Sequence, residues 1–181
     1  MPVPVFTAGE ILTASNMNLV GLWKIASGNL AGITTSGSDL SGIFSSSFRN
    51  YRLIVNVTAA STSTRLDMQF LVGTTPTGNY YHGGIGADYA SNATVYFSRS
   101  NNDSELDMPD TASAARNLTM DIYNPNVAIN TMFSGTYVDV GSIYHYNWGG
   151  LVTGTAQHTG IRFKSSAGTI GLTYAVYGYR A

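Results

Sequence analysis

Along the chain, short alternating or continuous apolar runs are separated by clusters of Gly, Ser, Thr, Asn and Pro, a rhythm that predicts an all-β fold. The clearest run is Arg65-Leu-Asp-Met-Gln-Phe-Leu-Val72, where Leu66, Met68, Phe70 and Val72 share one strand face and Arg65, Asp67 and Gln69 the other. The first face is expected in a core and the second in water. Asn117-Leu-Thr-Met-Asp-Ile-Tyr123 repeats the alternation with Leu118, Met120 and Ile122 inward, and Asn124-Pro125 ends it by turn chemistry. Tyr51-Arg-Leu-Ile-Val-Asn-Val-Thr58 is rich in β-branched residues, which suit a half-buried pleated surface. Further strands are expected at 22–27, 93–98, 131–138, 142–148, 159–164 and 173–179, with long connections at 29–48, 73–92 and 99–116. Roughly eight or nine strands in about 160 residues match a jelly-roll-like β-sandwich better than one of immunoglobulin size.

The opening residues break this rhythm. Pro2 and Pro4 hold the chain extended and remove backbone donors, so the start of the chain reads as an arm, with an N-terminal strand lying on its own domain as the other reading. Thr13 is placed to cap a short helical turn over 14–20 that stops at Gly21. Phe6, Ile11, Leu12, Met17 and Leu19 are its apolar residues for docking on a larger body. The expected organisation is an anchoring arm over 1–21 and a sandwich domain over 22–181. A secretory signal fits poorly, because a basic start and an unbroken apolar stretch are both missing.

Only 10% of the 181 residues are charged and the net charge is -1, so the surface is expected to be polar but nearly neutral. There is no basic run to follow a phosphate backbone, which sets nucleic acid aside, and no apolar segment long enough to insert in a membrane. The chain has no cysteine, which excludes disulfides, thiolate metal sites and Cys nucleophiles and fits folding in a reducing cytosol.

Candidate chemistry is sparse. His82, His145 and His158 are the only histidines and none stands at metal-ligand spacing. The acidic stretch Asp103-Ser-Glu-Leu-Asp-Met-Pro-Asp110 has carboxylates for a cation but lacks the glycine and glutamate positions of a calcium loop, so a solvated loop is its other reading. No pair of acids is singled out for glycoside hydrolysis. His82-Gly-Gly-Ile-Gly-Ala87 has glycines but no Lys-Ser or Lys-Thr ending, and is expected to be a turn rather than a phosphate loop. Neither a catalytic residue nor a cofactor is therefore expected. Aromatic residues offer binding physics of their own: Tyr80, Tyr81, Tyr89, Tyr144 and Tyr146 with Trp148 are candidates for glycan or subunit contact, or for burial.

The arm sequence Phe6-Thr-Ala-Gly-Glu-Ile-Leu-Thr-Ala-Ser-Asn-Met-Asn18 resembles an N-terminal signature of virion proteins of tailed bacteriophages, especially fibre and appendage proteins. Phe48-Arg-Asn-Tyr-Arg-Leu-Ile-Val55, Thr75-Pro-Thr-Gly-Asn-Tyr-Tyr81, Ile122-Tyr-Asn-Pro125, Gly160-Ile-Arg-Phe163 and Tyr177-Gly-Tyr179 are similar to small virion-associated, fibre-like phage proteins. The resemblance implies a non-enzymatic virion structural protein, assembled in the bacterial host cytoplasm as a homotrimer. Its arm would bind phage capsid or tail proteins, and a host surface glycan is a further candidate partner, offered by the aromatic positions rather than by the resemblance. The absence of a heptad stretch or repetitive shaft favours a compact knob near its anchor. A capsid decoration (cement) protein and a free carbohydrate-binding module are the alternatives.

Overall fold

A computed structural model of the chain describes residues 21–89, 94–107, 116–139 and 144–179. The expected arm, its helical turn and its docking residues Phe6, Ile11, Leu12, Met17 and Leu19 lie outside the described residues. In chain order the strands are β1 Trp23–Ile33, β2 Ser38–Leu40, β3 Asn50–Ala60, β4 Leu66–Val72, β5 Thr75–Pro76, β6 Tyr80–Asp88 and β7 Thr94–Asp103. They continue with β8 Leu106–Asp107, β9 Arg116–Tyr123, β10 Thr131–Asp139, β11 Tyr144–Val152, β12 Gly160–Ser165 and β13 Ile170–Tyr179. There is no helix among the described residues.

The strands form two antiparallel sheets, one of eight strands in the order β1-β13-β3-β9-β10-β11-β6-β7 and a smaller one in the order β2-β12-β4-β5, with β8 also paired to β4. Their inner faces meet as the expected alternation requires, except that Val72, expected in the core, is 41% exposed at the end of β4. Leu53, Val55, Leu118, Met120 and Phe133 come from the large sheet, and Leu66, Met68, Phe70, Ile161 and Phe163 from the small one. Phe70 stands at the centre, with ring centroids 5.2 Å from His158, 6.0 Å from Phe44, 6.2 Å from Tyr80 and 6.5 Å from Phe133. The two sheets are also joined by a polar tie. The Tyr80 hydroxyl, carried on the large sheet, accepts a hydrogen bond of 2.6 Å from the Phe70 backbone N–H on the small one. Tyr51 ties the large sheet to the β2–β3 connection, its hydroxyl taking the Ser45 N–H at 2.7 Å and donating to the Ser45 carbonyl at 2.9 Å.

Other expectations are corrected too: 29–48 holds the end of β1 and all of β2, and 99–116 holds the end of β7 and all of β8. Residues 73–92 do not form one long connection, because they contain β6, a nine-residue strand paired on both sides. The glycine-rich run over 82–87, expected as a turn, lies within that strand. Its glycines are there for space: a Cβ on Gly84 would lie 2.6 Å from Cβ of Trp148, and one on Gly86 would overlap the Tyr146 ring. Asp67, expected in water, is buried on the outer face of the small sheet, with Lys164 of β12 and Asp107 of β8 as its register neighbours.

Candidate functional site

The outer faces of the two sheets differ in chemistry. On the small sheet, charges are paired across strands. Arg162 grips Asp39 through two hydrogen bonds of 2.6 and 2.9 Å, and Lys164 meets Glu105. Arg65 reaches Asp67 at 2.6 Å and Asp107 at 3.1 Å. Side-chain oxygens of Asp67, Glu105 and Asp107 lie within 4.8 Å of one another, so part of the acidic stretch singled out for a cation does converge with a third acid. Arg65 and Lys164 already engage all three carboxylates, and the arrangement serves as an ion-pair clamp holding β8 to β4. The end of that stretch, Met108 to Asp110, lies outside the described residues.

Burial pushes the Asp67 carboxyl up to about 6, against the opposing pull of Arg65. Asp107 is raised as well, again chiefly by burial. A raised folded value means that the native state binds the proton more tightly than the unfolded chain, so Asp67 adds stability as pH falls from about 6 towards 3.8 and Asp107 acts in the same sense. His158 acts in the opposite sense, because burial lowers it from 6.5 to about 4 and protonation of the unfolded chain removes stability across that window. Replacing Asp67 by Asn separates the two. Wild type should gain on Asp67→Asn by on the order of 2 kcal/mol between about pH 7 and about pH 4, read from urea unfolding at each pH. A difference that does not change with pH would show that Asp67 titrates as an ordinary carboxyl.

The large sheet has a trench on its outer face, and the two charges that line its concavity cancel. Its floor follows one register row across five strands, Arg52 opposite Asp121, Asp121 opposite Ser134, Ser134 opposite Gly149 and Gly149 opposite Gly83. The two glycines leave the floor low where side chains would otherwise stand. One wall is the row Tyr123, Met132, Leu151 and Tyr81, and the other is Thr119, Thr136, Asn147 and Ile85. A concavity of about 430 Å³ is lined by Arg52, Thr119, Asp121, Ser134, Thr136 and Asn147, among others. Arg52 and Asp121 form a bidentate pair at 2.8 and 2.6 Å, which cancels their charge at the head of the trench. The Tyr123 hydroxyl lies 3.4 Å from Ser134 Oγ. Tyr179 joins this group: burial and the Asp121 charge push its phenol up to about 12, so it stays protonated at neutral pH.

The aromatic candidates divide. Tyr80, Tyr146 and Trp148 are core residues, with Trp148 against Phe133 at 5.3 Å and Tyr146 against Tyr137 at 6.1 Å. Tyr81 and Tyr89 are exposed, and Tyr81 stands in the trench wall. Tyr144 begins β11, and its side chain lies outside the described residues. Of the histidines, His158 stacks on Phe70, while His82 lies edge-on to Trp148 with Nε2 3.7 Å from Asp103. His145 sits on β11, the aromatic-rich strand expected for it. Arg52, Asp121, Tyr123, Ser134, Thr136 and Asn147 were not singled out in the sequence. Each occupies an ordinary outward position of its own strand, and only the cross-strand register brings them together.

No family model, curated protein or solved structure matches this chain.

Proposed function

We propose that this chain is a non-enzymatic virion structural protein of a tailed bacteriophage, a small homotrimeric appendage of fibre or adhesin type docked through its N-terminal arm. The observation that carries the reading is the pairing of the arm signature with a two-sheet antiparallel sandwich. The signature precedes β1, an edge strand, so a segment attached there can engage another protein without crossing the core. The jelly-roll-like reading of the sandwich draws support from the way its ends wrap together, β1 pairing with β13 in the large sheet and β2 with β12 in the small one. The meander β9-β10-β11 departs from that pattern.

Capsid decoration is the second reading, favoured by the same arm and by the absence of a repetitive shaft. Particles of the encoding phage, purified through a density gradient, should carry the full chain. Particles made with residues 1–20 deleted should lack it while the deleted chain accumulates, folded, in the lysate. Equal incorporation of the two chains would remove the anchoring role from the arm.

A further inference from the structure

We infer that the trench on the eight-stranded sheet is a binding site for a neutral polysaccharide chain, with Arg52, Asp121, Ser134, Thr136 and Asn147 as its hydrogen-bonding groups. This deepens the attachment reading and rests on it for the source of the glycan. The charge balance selects the ligand class. Among the residues that line the concavity Arg52 and Asp121 are the only charged ones, and two parallel hydrogen bonds match them, so the concavity itself has no surplus cation for a phosphate, a uronate or nucleic acid. A peptide strand is also a poor occupant. The floor strands β10 and β11 are each paired on both sides, which leaves no backbone edge for β-addition.

What the trench offers is a mixture of donors and acceptors at short spacing. Three hydroxyls from Thr119, Ser134 and Thr136, the Asn147 amide and the Arg52–Asp121 fork line it together, and Ser134, Thr136 and Asn147 are exposed. Sugar hydroxyls both donate and accept, so this set complements a polyhydroxylated chain without needing net charge. The half-buried Tyr123 and exposed Tyr81 flank the floor, where a phenol ring can cover the C–H face of a pyranose while its hydroxyl stays in water. The volume of about 430 Å³ falls within the usual range for small-ligand sites, roughly 300–1,000 Å³.

The test is affinity electrophoresis of the full chain through gels containing dextran, galactomannan or laminarin, with hyaluronan as the anionic comparison. At least one neutral polysaccharide should retard the protein and hyaluronan should not. Ser134→Trp, which fills the floor from an exposed position, and Asn147→Ala, which removes one hydrogen-bonding group, should each weaken the retardation at least about fivefold without lowering the unfolding temperature. Using both variants keeps the test informative if the tryptophan disturbs folding. Three results would overturn the assignment: no retardation by any neutral polysaccharide, retardation that survives both substitutions, or self-association that Ser134→Trp abolishes in place of glycan binding. Particle incorporation is read separately. If incorporation is retained without glycan binding, only the trench fails. If glycan binding is retained without incorporation, only the virion reading fails.

Discussion

Truncating Phe70 to Ala is expected to destabilise the domain by about 3–5 kcal/mol, the range for removing a buried aromatic ring from a close-packed core. The position makes the upper part of that range reasonable. Phe70 comes from the small sheet, is 2% exposed, and its ring lies against His158, Phe44, Tyr80 and Phe133, so it spans the layer between the sheets. These neighbours are themselves fixed. Tyr80 is tied to the Phe70 backbone N–H, and His158 donates its backbone N–H to the Pro125 carbonyl at 2.7 Å, so the walls of the new cavity collapse only partly. For a domain of this size the loss corresponds to a melting temperature lower by roughly 10 °C, measured by thermal unfolding. A fall of less than about 3 °C would mean that the centre of the sandwich repacks freely, contrary to the close ring contacts described above. Phe70→Leu, which keeps much of the volume, should lose less than half as much.

The second large effect is expected from the smallest change, Gly135→Ala. Gly135 sits on β10 between Met120 of β9 and Trp148 of β11, in the middle of the large sheet. A Cβ there would run into the Thr119 carbonyl and lie 3.0 Å from Cα of Met120. Both obstacles are backbone of a paired strand, so relief requires β9 and β10 to move apart and lengthen their ladder. Overpacking of this kind costs about 3 kcal/mol, and the ladder at 119–136 should show the damage first in amide hydrogen exchange. By contrast, an alanine at Gly42, whose Cβ would meet nothing within 4 Å, is strained only by its positive φ of 72°. It should cost about 1 kcal/mol. Equal losses at the two positions would mean that backbone angle alone, rather than the close approach at Gly135, accounts for the effect.

These two residues also mark what could be read from the chain and what could not. Phe70 announces itself, because strict alternation over 65–72 puts it on the inner face, and the same logic located β3, β9, β10, β12 and β13. The glycines carried no such signal. Gly83, Gly84 and Gly86 look like turn chemistry in one dimension, yet they lie in β6, where Tyr146 and Trp148 on β11 fill the space that side chains at Gly84 and Gly86 would need. Asp67 was misplaced for a related reason. The alternation correctly put it on the outer face, but its burial depends on Arg65, Lys164 and the short β8, which is remote in sequence. The trench was invisible for the strongest reason. Arg52 lies 69 residues from Asp121, and with Ser134 the two become neighbours only through the register of β3, β9 and β10. Tyr enrichment pointed towards binding, but three of the six aromatic candidates are core, and the half-buried Tyr123 beside Ser134 was not among them.

The central claim is that this sandwich is a virion component held by its arm. Electron microscopy of purified phage particles bearing a gold label on the C-terminal end of the chain tests it most directly. Label is predicted at discrete tail or baseplate positions on particles carrying the full chain, and none on particles assembled with residues 1–20 deleted. Label spread over the head would replace the appendage with a decoration role, and unlabelled particles with the full chain free in the lysate would contradict the claim.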